Sequence, residues 1–169
     1  NDDIFLNADL FKRVNAVYEQ REKLNLSAEQ MRLLTQTYRA FVRNGINLPA
    51  EKQERLRQIN QEIAKRSQEF GQNLLDETND FVLFVENKPE LGPLPESLVE
   101  LAAAEAEKRG KPGQWAFTLQ RPSINPFLQY SPNREMRKKM FEGYAARGDR
   151  DNGKDNKKLL SELADLRAE

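Results

Sequence analysis

The 169-residue sequence contains no cysteine and no histidine. Each absence removes a class of chemistry. Without Cys there is no disulfide framework, no thiolate nucleophile and no iron–sulfur ligation. Without His there is no Ser-His-Asp triad and no imidazole site for zinc, which competes well mainly for N and S ligands. No apolar run approaches the ~18 residues of a membrane span, so no membrane partner is expected. The opening Asn1-Asp2-Asp3 is acidic and lacks the apolar stretch of a signal peptide. An excess of one charge is missing too, since 27 Lys+Arg stand against 27 Asp+Glu. No nucleic-acid partner is expected, because phosphate binding needs a basic excess on one face. The eight glycines fall as single stops and turns, so no phosphate-cradling motif forms. The missing cysteines leave the compartment open between cytoplasm and periplasm.

What the chain does have is helical periodicity. Leu10, Val14 and Val17 mark a first helix, with Phe11 and Tyr18 widening its stripe. Ser27 and Gln30 form a capping box that starts a second, flanked by Leu26 and Met31 as a hydrophobic staple. Its face runs on through Leu34, Tyr38, Phe41 and Val42 to a stop at Gly45. Pro49 opens the longest helix, with Leu56, Ile59, Ile63, Phe70 and Leu74 on one stripe. Gly71 inside it is read as a close helix contact. The period then changes: 81–86 and 114–120 read as two strands of an antiparallel ribbon, with a helix over 95–109 between them. Pro122 to Pro132 reads as a loop. Ser131 caps the next helix, with Pro132 at its first position, an apolar face of Met136, Met140, Phe141 and Tyr144, and a stop at Gly148. A last helix from about Asp155 carries Leu159, Leu160, Leu163 and Leu166 to Glu169 with no cap, which suggests a chain cut inside a larger domain. The fold class is mainly α: an antiparallel helical segment with a two-stranded antiparallel β-ribbon.

Few residues offer themselves as a site. Asp149 to Asp155 suggests a calcium loop, but with Gly153 at position six, positions one, three and twelve would be Gly148, Arg150 and Leu159, none of which suits the role. An acidic turn feeding the last helix explains it better. Asn25-Leu26-Ser27 matches a glycosylation sequon, yet Ser27 is already accounted for as a cap. Trp115, Phe117 and Leu119 could stack nucleobases, but no basic residue joins them before Arg121, so core packing is preferred. The many carboxylates lie opposite apolar stripes and read as solvated faces, not as an acid/base pair. The residues alone describe a helical protein with no visible active site. They also leave open a self-standing helical interaction module whose 49–79 helix presents a groove or seam to a partner.

Several segments taken in order say more. They are the run from Phe11 to Arg21, Thr37 to Gly45, Leu56 to Ile63, Phe70 to Asn79, Gly92 to Ser97, the Trp115-Ala-Phe-Thr-Leu strand, Asn133 to Tyr144, Asp155 to Leu160, and Leu166 to Glu169. In order and spacing over nearly the whole chain they resemble the thimet-like zinc oligopeptidases of the M3 family, and within it the bacterial peptidyl-dipeptidase type. In that family two His of an H-E-x-x-H helix and a downstream Glu hold zinc, and the motif Glu activates water. None of these is present, so no catalytic or metal-ligating position is assigned here and no residue is assigned a substrate contact. The resemblance implies that residues 1–130 are a non-catalytic helical segment with the β-ribbon, and that 131–169 begin the catalytic-type helical region. It further implies a parent enzyme that uses zinc to hydrolyse short peptides, with release of C-terminal dipeptides as the form this activity takes in the peptidyl-dipeptidase type, and with this segment in the wall of its substrate channel. The partners it implies are an oligopeptide substrate and the remainder of the enzyme's own catalytic domain; this chain alone is expected to hold no cofactor and to be inactive.

Overall fold

The computed structural model describes residues 2–169. Among them, eight α-helices and two strands follow in order. They are α1 (Asp2–Phe5), α2 (Ala8–Glu19), α3 (Ala28–Arg43), α4 (Ala50–Asp80), β1 (Val82–Val85), α5 (Glu96–Lys108), β2 (Trp115–Thr118), α6 (Arg121–Tyr130), α7 (Arg134–Ala145) and α8 (Lys157–Ala168). The mainly α class with one antiparallel ribbon stands. The chain divides into two compact units, up to Ala64 and from Lys65 onward, with the break inside α4. That division is geometric, and distinct from the functional boundary expected between 130 and 131.

In the first unit, local chemistry sets the helix ends. The Ser27 hydroxyl accepts from the Gln30 amide at 3.2 Å, and the Gln30 side chain accepts from the Ser27 amide at 3.0 Å. Two orphan donors of the first turn of α3 are thereby satisfied. At the other end Gly45 takes φ +90°. Its amide reaches Val42 O, and Ile46 N reaches Phe41 O, the paired bonds of a Schellman stop. Packing is aromatic: Phe11 lies 5.6 Å from Phe41 and 5.8 Å from Tyr38, and Tyr18 stacks on Tyr38 at 3.9 Å. This corrects the stripe expected for α2. Phe11, Val14 and Tyr18 face inward, while Leu10 and Val17 are exposed. The rings bury more area per residue, so they decide which face turns in.

In the second unit, β1 and β2 pair Val82 with Thr118, Leu83 with Phe117, Phe84 with Ala116 and Val85 with Trp115. A bare ribbon is marginal in water. Here Val85 and Phe117 join Leu98, Ala102, Ile124, Phe127 and Met140 in one buried core. Phe117 and Phe127 meet at 4.6 Å between centroids.

Three expectations fail in this unit. Residues 122–132 are not a loop, because α6 fills 121–130. Pro122 sits in its first turn, where the missing N–H costs nothing, and Pro126 removes only one ladder bond. Burial of Ser123, Ile124 and Phe127 outweighs that loss. Ser131 does not cap α7. Asn133 does, its side chain accepting from Met136 N at 3.1 Å, with Pro132 outside the helix. Gly71 makes no close contact: a Cβ there would meet nothing within 4 Å. The packing glycine is Gly143, where a Cβ would lie 2.5 Å from the Phe81 ring.

Candidate functional site

The most developed polar arrangement among the described residues centres on Glu77, near the end of α4. Glu77 is only 4% exposed. One carboxylate oxygen accepts from the Gly148 amide at 2.5 Å, and the other accepts from the Asn152 side-chain amide at 2.8 Å. The Arg150 guanidinium stands 3.9 Å away. Next to it Arg147 donates to the Thr78 hydroxyl at 2.6 Å, and its guanidinium lies over the Tyr144 ring at 3.7 Å. Sequence reasoning missed Glu77 by placing the carboxylates on solvated faces. The signal was there: Glu77 continues the Phe70, Leu74 stripe at helical spacing, so it points where the apolar residues point. Buried and fully accepting, it fastens the 146–156 loop to α4.

Asn156 completes that fastening. It is 1% exposed, its amide donates to Gly148 O at 2.8 Å, and its side chain accepts from Asn73 at 2.9 Å and donates to Phe70 O at 3.2 Å. The acidic turn before α8 is organised by a lysine. The Lys157 ammonium lies 2.7 Å from Asp149, 2.9 Å from Asp151 and 2.8 Å from Asp155. It fills the space that a cation would need, which answers the calcium-loop question from the other side. Hydrogen bonds from Lys157, first its side chain and then its backbone, hold the Asp155 carboxyl down at about 2, and the three aspartates raise Lys157 above the ordinary lysine range.

A separate cleft of about 350 Å³ runs between α5 and the start of α6, lined by Thr78, Glu105, Arg109, Thr118 and Gln120 among others. Arg109 is paired with Glu105 at 2.8 Å, and Gln120 donates to Asn79 at 2.9 Å. Of the residues weighed for stacking, Phe117 and Leu119 are buried in the core and Trp115 is half-buried at its margin, so they form no open platform. Asn25, of the sequon, lies in the turn before α3 with φ +49°. Among the described residues, neither the Glu77 arrangement nor this cleft joins a general acid to a base or a nucleophile to its activator.

Over 95–99% of its length the chain aligns with peptidases at about 30% identity. It is 34% identical to oligopeptidase A of Haemophilus influenzae across 95% of its residues, and 30% identical to dipeptidyl carboxypeptidase of Escherichia coli across 99%. The organellar oligopeptidase A of Arabidopsis thaliana is 31% identical across 95%. The chain belongs to the family of the oligopeptidases A and dipeptidyl carboxypeptidases. It spans about a quarter of the length of these relatives, 24% of the first two and 21% of the third. No protein-family model matches it. The residues of this chain do not fit a hydrolytic zinc ion. The donor set lacks imidazole and thiolate, and among the described residues no group of three or more carboxylates is placed to hold a metal. What this segment does possess is a fixed connection: the loop between α7 and α8 is tied to the end of α4 through Glu77 and Asn156.

Proposed function

We propose that this chain is a non-catalytic segment of a zinc-dependent peptidase of the M3 type, and that the longer protein hydrolyses short peptides and releases C-terminal dipeptides. In this reading the helices form part of the wall of a channel that admits extended oligopeptides and excludes folded proteins. Residues from about 131 onward begin the catalytic-type region, and the hydrolytic zinc is held by residues outside this sequence. The observation that supports the reading most strongly is a pair of lengths. The relatives cover 95–99% of this chain with about a quarter of their own residues. A quarter of a peptidase with neither His nor Cys has no ligand set for zinc and no thiolate nucleophile.

The test is activity of the natural gene product that contains this sequence. It should cleave short fluorogenic peptides, lose that activity to a zinc chelator and regain it with zinc. A natural product with no chelator-sensitive cleavage of any short peptide would remove the proposal.

A further inference from the structure

The two edges of the β-ribbon are finished differently. In an antiparallel pair, residues alternate between pairs that exchange both backbone bonds and pairs that direct both groups outward. The Thr118 amide donates to the Ser123 hydroxyl at 3.0 Å, away from β1. Thr118 and its partner Val82 are therefore a non-bonded pair, and so are Ala116 and Phe84 two residues along. Leu83–Phe117 and Val85–Trp115 carry the ladder. On the β2 side the outward edge is closed: Ala116 is 2% exposed, and Ser123 occupies the Thr118 amide. On the β1 side, Val82 and Phe84 point their N–H and C=O groups outward. Among the described residues no backbone or side-chain hydrogen bond from outside the ribbon reaches either one. Residues Phe81 to Phe84 are all half-buried, not covered.

Edge strands in native proteins are blunted by charge, proline, a bulge or a covering element. Phe81-Val82-Leu83-Phe84-Val85 holds no charge, no proline and no glycine. Beside it lies an open cleft of about 440 Å³, lined by Phe81, Val82 and Leu83 on one side and Lys139, Glu142 and Gly143 of α7 on the other. That volume is within the range of ligand clefts. Lys139 is exposed and has no ion-pair partner among the described residues. The cleft therefore offers a free cation as well as unpaired backbone groups.

We infer that the outward edge of β1 is a docking site for an extended oligopeptide, which adds as a third strand with its terminal carboxylate toward Lys139. Donors and acceptors at every second residue of a strand are complementary to another extended backbone. The free ammonium supplies the counter-charge that a peptide chain end carries. Choosing an oligopeptide as the occupant rests on the oligopeptide-handling role proposed above.

The test measures amide exchange by NMR on this chain. The probe is an N-acetylated hexapeptide of alternating threonine and valine with a free carboxylate, and a second version is N-methylated along the pairing edge. Saturating peptide should slow exchange at Val82 and Phe84 at least tenfold and leave Leu83 and Val85, already in the ladder, unchanged. The methylated peptide should bind at least tenfold more weakly. Val82→Pro, which deletes an outward donor but no ladder bond, should weaken binding as much, with protection at Leu83 and Val85 reporting that the ribbon is intact. Lys139→Gln should weaken binding about threefold. No slowing at Val82 and Phe84, equal affinity for the methylated peptide, or unchanged affinity in Lys139→Gln overturns the inference. Concentration-dependent protection of Val82 and Phe84 without peptide assigns the edge to a second copy and overturns it too. The readout is separate from hydrolysis, so a failure here is distinguishable from a failure of the peptidase reading.

Discussion

Two glycines in helices should respond oppositely to the same substitution. Gly→Ala inside a helix gains about 1 kcal/mol from reduced backbone freedom. At Gly71 nothing else changes, because an added Cβ meets no atom within 4 Å. Gly71→Ala is therefore expected to stabilise by about 0.5–1 kcal/mol. At Gly143 the same methyl would sit 2.5 Å from Cε2 of Phe81 and 2.9 Å from Cδ2 and Cζ. The ring cannot simply swing aside, since Phe81 packs against the core that holds Met140. Forcing a methyl into such a contact costs about 1–3 kcal/mol. The helix gain is common to both sites and cancels in the comparison, so Gly143→Ala should be less stable than Gly71→Ala by about 1–3 kcal/mol. Both residues lie in the second unit, as does Trp115, the single tryptophan. Urea unfolding followed by its fluorescence, analysed with a common slope, measures the difference. Equal stability of the two variants would refute the packing argument.

Other consequences are as direct. Glu77→Ala strips the acceptors from the Gly148 amide and the Asn152 side chain and leaves Arg150 without its neighbour; a loss of about 2–4 kcal/mol is expected in the same unfolding assay, with faster amide exchange at Gly148. Ser27→Ala breaks the capping box of α3 and should cost the first unit about 1 kcal/mol, seen as faster amide exchange in the first turn of α3. Asp155 should titrate at about 2, held down first by the Lys157 side chain, against about 3.9 in an unfolded chain. A depressed carboxyl stabilises the fold above its unfolded value, and that contribution fades as pH falls through about 4 and is gone below about 2. Carboxyl NMR should place the Asp155 midpoint near 2, and a midpoint near 4 would mean the Lys157 cluster is not formed.

Much of the frame can be read from the residues because it is written in local chemistry. The Ser27–Gln30 box and the Gly45 stop each depend on a few neighbours in sequence, and both sit where the pattern puts them. The ribbon is legible for the same reason: a short run of β-branched and aromatic residues reads as a strand, and its partner at 115–118 follows in the chain. What is not legible depends on partners far along the chain. Nothing within α6 says that Ile124 and Phe127 will be buried deeply enough to outweigh Pro126. Nothing near Gly71 or Gly143 tells which one a ring will press against, because Phe81 is far from Gly143 in sequence. Glu77 is a carboxylate in the phase of an apolar stripe, a conflict that only the 148–152 loop resolves. The absent imidazole and thiol are the most informative feature for function, and they can be read without any structure.

We propose that this chain supplies shape and not chemistry. The measurement that tests it most directly is hydrolysis of a short fluorogenic peptide by the purified 169-residue chain in the presence of saturating zinc. The expected rate is no greater than that of buffer with zinc alone. Turnover that rises with zinc, vanishes with a chelator and co-purifies with the chain would contradict it.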